Sequence, residues 1–274
     1  MNLTDVVLRI VHSEDLIGHE VVDPRRVERL VQRLRSDGIL KNPPAVVDVG
    51  GKYVVLDGAT RVAALRELGI RDVVVQIVDY EPPGVELHSW CHVVVGMACK
   101  DLVDGLNLVN GIEVKSMELH TARAELSLKS IPCYVLLRDG GVLAAVGCSN
   151  LEAQVNLLND IVDLYGGCAD VYRAATDSME ELLEEYPELT AVVVFPCFSP
   201  ADIMSTSLDG ARLPMGVTRH AISGRALGLN VDLAMLDSDI PLEQKNVWLR
   251  NLIRSKIRMN RVRFYPEPVF RFDE

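Results

Sequence analysis

The stretch VVLDGATRVAALRELGI, residues 54–70, joins an apolar strand to an amphipathic helix through five small or polar residues. The strand ends at Asp57-Gly58, and the helix carries Val62, Leu65 and Leu68 on one face before stopping at Gly69. The first N–H groups of such a helix lack intrahelical partners, and the helix dipole favours an anion beside them. Gly58 lets a phosphate approach the backbone, and Arg61 adds a charge-assisted donor. Asp57 would repel phosphate directly, so on this reading it serves as a ligand for Mg2+. The plainer reading is an ordinary α/β connector in which Asp57 and Thr60 cap the helix. Both readings stand on these residues alone.

The flanking sequence extends the α/β pattern. VVLRIV (6–11) reads as a first strand. Asp23-Pro24 starts a helix with Asp as N-cap and Pro at the first position, and Val27, Leu30, Val31 and Leu34 follow at helical spacing up to Gly38. AVVDV and KYVVLD flank Gly50-Gly51 as a β-hairpin, and VVVQIV (73–78) is a further strand. Glu81-Pro82-Pro83-Gly84 marks a turn, which predicts domains over 1–80 and 81–274. Beyond it ELHSWCHVVV reads as one strand and YVLLRDGGVLAAVG as a hairpin about Asp139-Gly140-Gly141. LEAQVNLLNDIVDLY and SMEELLEEY read as helices and AVVVF as a buried strand. A last helix from Pro241 to Arg258 precedes a short terminal strand.

At 274 residues and 49% hydrophobic content, the chain can fill one large or two ordinary cores. Charged residues break every apolar run before it could span a bilayer, and MNLTDVVLRIVHSED lacks a signal-peptide pattern. Six cysteines without a CxxC pair read as thiols, so a cytoplasmic location is expected. A net charge of -11 disfavours nonspecific nucleic-acid binding. His88, Cys91 and His92 suggest a metal, but on a strand Cys91 faces away from the other two and no distant pair completes a zinc site.

The strand-DG-x-x-R-helix unit, with the Asp-Pro helix and SDGILKNPPAVVD upstream, resembles the ParB/sulfiredoxin-like domain over roughly residues 8–80. Sulfiredoxins place a Cys after the turn glycine, where this chain has Ala59. ParB-type partition proteins carry a Gly-Glu-Arg-Arg-like turn and a helix-turn-helix domain that is not seen after residue 80. The third branch, the free L-serine kinases, is similar over nearly the whole chain. Its marks are HEVVDPRRVERL, HSW, LPMGVTRHAISGRALGLNVDLAML and the aromatic, acidic ending RVRFYPEPVFRFDE. The archaeal kinases have two histidines where this chain has Ala59-Thr60.

The resemblance implies an α/β (α+β) protein, with a ParB/sulfiredoxin-like N-terminal domain and a mixed α/β C-terminal domain that completes the serine site. It implies transfer of a terminal phosphate from ATP or ADP, with Mg2+, to L-serine. The product, O-phospho-L-serine, would feed siderophore-precursor or cysteine synthesis. Glu20 takes the place of the catalytic glutamate. Asp57, Gly58, Ala59, Thr60 and Arg61, with Lys41 and Asn42, would hold the nucleotide, and Asp57 the Mg2+. Trp90, Thr218, Arg219, His220 and Arg225 would hold serine, a guanidinium being suited to its carboxylate. The partners expected are these small molecules, without a membrane or nucleic acid; a homodimer is allowed. The alternatives are a ParB-like nucleotide-dependent DNA-partition or regulatory protein and a nonenzymatic ligand-binding module.

Overall fold

The structure is a computed structural model that describes residues 6–147 and 150–264. The terminal strand and most of the aromatic ending, residues 265–274, lie outside the described residues. Packing divides the chain into two compact units. One is formed by residues 1–17, 22–85 and 222–274, the other by 18–21 and 86–221. Apart from residues 18–21, the chain passes from the first unit to the second after residue 85 and returns at residue 222. Among the described residues no helix is long and apolar enough to cross a membrane.

The first unit is built on a five-stranded sheet. Its order is Val7–His12, Asp72–Ile77, Ala45–Val49, Lys52–Asp57, Leu16–Gly18. Ala45–Val49 and Lys52–Asp57 form the expected antiparallel hairpin across Gly50-Gly51, and Asp72–Ile77 pairs parallel with Ala45–Val49. The helix Pro24–Asp37 is capped as its sequence predicts. The Asp23 side chain accepts from the Arg25 amide, and Gly38 closes it at φ 65°. Val27, Val31 and Leu34 on this helix and Val62 and Leu65 on Ala59–Glu67 are buried in one core with Ile10, Val55, Val73 and Val75.

The final helix, Leu242–Arg258, secures the edge strand Val7–His12. Asn246 accepts from the Ile10 amide and donates to the Ile10 carbonyl, both at 2.9 Å, so the side chain pairs backbone groups that an edge strand leaves open. The preceding residue, Lys245, is fully buried. Its ammonium donates to Asp72 Oδ2 and the Leu236 carbonyl, each at 2.6 Å, while Asp72 Oδ1 meets His12 Nδ1 at 2.7 Å.

The second unit centres on a six-stranded sheet in which every pairing is antiparallel. Its order is Asp170–Ala174, Cys91–Val95, Leu189–Val194, Cys133–Leu137, Val142–Val146, Glu113–Ser116. ELHSWCHVVV is two strands, Val85–Ser89 and Cys91–Val95, broken at Trp90, whose amide donates to the Val217 carbonyl. Val85–Ser89 pairs with Thr218–Ile222 in a separate two-stranded sheet. The break turns the chain from one sheet to the other.

Lys245→Met removes the cation and leaves Asp72 buried. Unfolding free energy should fall by about 3–5 kcal/mol, read from urea denaturation. An unchanged midpoint would show that the pair does not hold this helix in place.

Candidate active site

Two clusters of polar side chains stand out, one in each unit. In the first unit, Asp57 ends its strand and Gly58, at φ 98°, is the N-cap of the helix Ala59–Glu67. No side chain caps this helix, so its first amides are not used up by Asp57 or Thr60. The capping role that the plainer reading gave those residues is not observed. Asp57 Oδ2 instead accepts from Arg61 Nη2 at 2.8 Å and Arg225 Nη2 at 2.5 Å. Burial pushes the Asp57 carboxyl up, but the Arg61 and Arg225 charges outweigh it and hold the group below its usual range.

Backbone and amide oxygens fix the two guanidiniums further. Arg61 Nη1 donates to the carbonyls of Asn42 and Pro43, and Arg225 donates to the Pro43 carbonyl and to Gln76 Oε1. Gly58 is required twice over. Its φ suits glycine, and a Cβ there would stand 2.9 Å from the Arg61 guanidinium carbon. Ala59 and Thr60 are half-buried in the first turn. Asn42 Oδ1 accepts from the Gly228 amide, and Lys41 pairs with Asp37 at 3.0 Å. Arg225, expected beside the serine-binding residues, thus belongs by its bonds to the cluster of Asp57 and Arg61.

In the second unit, the segment carrying Glu20 lies parallel to Leu213. The Val21 amide donates to the Leu213 carbonyl and the Leu213 amide to the His19 carbonyl, both at 2.8 Å. This short ladder delivers Glu20 to the loop before Thr218–Ile222. Oε1 accepts from the Thr218 amide at 3.0 Å and the Thr218 hydroxyl at 2.5 Å, and Oε2 accepts from the Gly216 amide at 3.1 Å. His19 Nε2 lies 2.7 Å from the Thr218 hydroxyl and 3.6 Å from Oε1. Burial alone would raise the Glu20 carboxyl, but His19 and the Thr218 donors prevail and hold it at about 2.

The loop is supported from behind. His92 Nε2 donates to the Gly216 carbonyl and Nδ1 accepts from the Tyr165 hydroxyl. Burial pushes His92 down to about 4, so it is neutral near pH 7. Gly216 has φ 77°, and a Cβ there would collide with the Arg173 guanidinium. Trp90 is half-buried, with the Arg219 guanidinium 4.6 Å above its ring, and the His220 ring stands edge-on to His19 at 5.0 Å. Glu20, Thr218, Arg219, His220 and Trp90, expected at separate places along the chain, therefore share this unit. Sequence reasoning missed His19, Gln76 and Gly216, and considered His92 only as a metal ligand. The signals were adjacency to Glu20 for His19, an amide in an apolar strand for Gln76, a glycine before a polar block for Gly216, and for His92 a place in an apolar strand beside Cys91.

No protein-family model matches the chain. Over 275 aligned residues it is 27% identical to the ATP-dependent L-serine kinase SbnI of Staphylococcus aureus, with 98% of each chain covered. It is 35% identical over 89 residues to the ATP-dependent L-serine kinase of Staphylothermus marinus, a match covering 32% of this chain and 35% of the other. Among solved structures, C-terminally truncated SbnI superposes with a TM-score of 0.71 at 23% identity, covering 91% of this chain and 97% of that one. A free serine kinase in complex with AMP gives 0.69 at 20% identity, covering 88% and 93%. The fold is therefore that of the free serine kinases. By sequence the chain is similar to an ATP-dependent L-serine kinase over nearly its whole length.

The Glu20 geometry carries a pH signature. A carboxyl held at about 2 against an ordinary 4.5 contributes stability that is present above pH 4.5 and lost as pH falls toward 2, roughly 3 kcal/mol in all. Urea unfolding at pH 5.5 and pH 3 should show a larger acid loss in wild type than in Glu20→Gln. Equal losses would place the Glu20 carboxyl near its unfolded value.

Proposed function

We propose that the chain is a free L-serine kinase that transfers the terminal phosphate of ATP to the serine hydroxyl, giving O-phospho-L-serine. One observation carries the reading. Glu20 and Thr218 lie 198 residues apart in segments that separately resemble the kinases' catalytic and serine-binding stretches, and they meet at 2.5 Å. ATP as donor is supported by the names of the relatives.

The reaction needs the acceptor oxygen in line with the terminal phosphate, charge stabilisation on the transferring group, and an acceptor for the proton. Arg61, Arg225 and the first amides of Ala59–Glu67 supply positive charge and donors for the phosphates. Asp57 keeps the two guanidiniums turned toward one point. Asn42 shapes the same turn through its carbonyl and its bond to Gly228. Lys41, beside Asn42, is ion-paired with Asp37 at 3.0 Å and would have to leave that partner to reach a phosphate.

Among the described residues no group of three or more His, Cys, Asp or Glu side chains is arranged to hold a metal. Mg2+ carried by nucleotide phosphates needs only one or two protein carboxylates. Asp57 is the carboxylate of this cluster that would hold the ion together with the nucleotide phosphates. When bound, Mg2+ would spread the charge of the phosphates.

Glu20 orients the serine hydroxyl and receives its proton. A carboxylate held at about 2 is a weak base. In a loose phosphoryl-transfer transition state the proton leaves late, so orientation matters more than basicity. Arg219, held over Trp90, offers a guanidinium to the serine carboxylate, and Glu20 attracts the serine ammonium. Thr218 and His220 complete this group.

Purified protein with Mg2+, ATP and L-serine should yield O-phosphoserine, seen by phosphorus NMR, with a parallel ADP reaction as comparison. Glu20→Gln should lower turnover by about 100-fold or more and leave nucleotide binding within a few fold. Absence of product from wild type with either nucleotide, or equal turnover by the variant, overturns the assignment.

Arg225→Ala tests the placement of Arg225 with the nucleotide. Losing a charge-assisted hydrogen bond should raise the ATP requirement by about 10-fold and leave the serine KM unchanged. The reverse split would return Arg225 to serine recognition.

A further inference from the structure

The Thr218 hydroxyl has two close partners, Glu20 Oε1 at 2.5 Å and His19 Nε2 at 2.7 Å. Each contact needs a proton, and the hydroxyl owns only one. The second cannot come from Glu20, whose four donors and neighbours keep it ionised. It must stand on His19 Nε2. The imidazole therefore donates to Thr218 Oγ1, and this orients the Thr218 proton toward Glu20.

The arrangement has a consequence for the two carboxylate oxygens. Oε1 accepts from the Thr218 amide and the Thr218 hydroxyl, which fills its two lone-pair directions. Among the described residues, the hydrogen bond at Oε2 is that from the Gly216 amide, which leaves one lone-pair direction open there. His19 is 4% exposed, too deep to meet substrate directly.

We propose that His19 is a positioning residue for the catalytic carboxylate. Through the Thr218 hydroxyl it locks Glu20 Oε1, which leaves Oε2 as the oxygen that meets the serine hydroxyl. This assignment rests on the kinase reading for its substrate, and on the hydrogen-bond geometry for everything else. In the reaction the serine O–H proton passes to Oε2, the serine oxygen bonds to the terminal phosphorus, and the bond from that phosphorus to the β-phosphate oxygen breaks. ADP leaves with the electron pair.

Among the described residues, Glu20 faces His19 on its own segment, Thr218 and Gly216 on the facing loop and strand, and His92 on Cys91–Val95, and the His220 ring stands edge-on to His19. Arg173 on Asp170–Ala174 lies against Gly216. Burial keeps His92 neutral, so removing the His19 donor takes away a contribution to the Glu20 proton affinity that His92 cannot replace.

Two His19 variants and two readouts test this. Carbon NMR of glutamate-labelled protein should show the Glu20 carboxyl titrating higher in His19→Leu than in wild type. His19→Gln, which keeps a donor but cannot titrate, should return it most of the way. In steady-state kinetics His19→Leu should lower kcat about 10-fold or more with the ATP KM unchanged. Its activity should begin to fall at a higher pH on the acid side, and His19→Gln should recover most of the loss.

An unmoved Glu20 titration in His19→Leu overturns the proposal, as does a His19→Gln variant as impaired as His19→Leu in both readouts. The NMR arm does not depend on the acceptor. Wild-type protein that makes no O-phosphoserine sinks the kinase reading, whereas a silent titration sinks the role of His19. If His19→Leu fails to fold, Thr218→Val against Thr218→Ser asks the same question at the next atom, with the same titration expected and the same null result decisive.

Discussion

A single carboxylate oxygen, Oδ2 of Asp57, holds the first unit's polar cluster together. Two guanidiniums brought this close would repel, and the carboxylate both of them bond is that of Asp57, four positions from Arg61 and 168 from Arg225. Because Asp57 is spent on the arginines, it does not cap the helix behind it. The helix start is left with Gly58, whose missing Cβ makes room for the Arg61 guanidinium. The phosphate reading of this turn follows from what Asp57 does not do as much as from what it does.

The two units solve the problem of a buried carboxylate differently. Asp57 is met by formal charges, so the pair of arginines together with it carries net positive charge and suits a phosphate. Glu20 is met chiefly by amides, a hydroxyl and an imidazole. Among the described residues no Arg or Lys side chain is hydrogen-bonded to its carboxylate, whereas Asp57 is bonded by two guanidiniums. An amino acid presents an ammonium and a hydroxyl to such a group. One acid therefore organises cations, and the other remains an anion with a free direction.

What the sequence made legible is local. The helix Pro24–Asp37, the hairpin across Gly50-Gly51 and the strand-to-helix turn at Gly58 each depend on residues within a few positions of one another. The helices Cys99–Leu108 and Leu119–Ser127 were missed, and neither has a side-chain cap to announce its start. The break at Trp90 was missed because an apolar run continues through it, and only the distant Val217 carbonyl decides where the chain turns. Arg225 was grouped with Thr218 because seven residues separate them. The bonds to Asp57 and Gln76, formed across 168 and 149 positions, leave no local mark. The resemblance to serine kinases names most of the residues in both clusters, but their partnerships are set by contacts between segments far apart in the chain.

The route of the chain around Glu20 bears on how well a weak base can work. Residues 18–21 are all that the second unit takes from that part of the chain. A free loop of four residues would position a side chain poorly, and a base of low proton affinity has little to offer once it is misplaced. Here the backbone is fixed on both sides of Glu20, by the His19 carbonyl and the Val21 amide, both bonded to Leu213. The side chain is fixed at its end by Gly216 and Thr218, which lie three and five residues beyond Leu213. Backbone and carboxylate are thus referred to the same short stretch of chain. Any displacement of that stretch moves the base and its donors together, so their mutual geometry survives motion that would scatter residues drawn from independent loops.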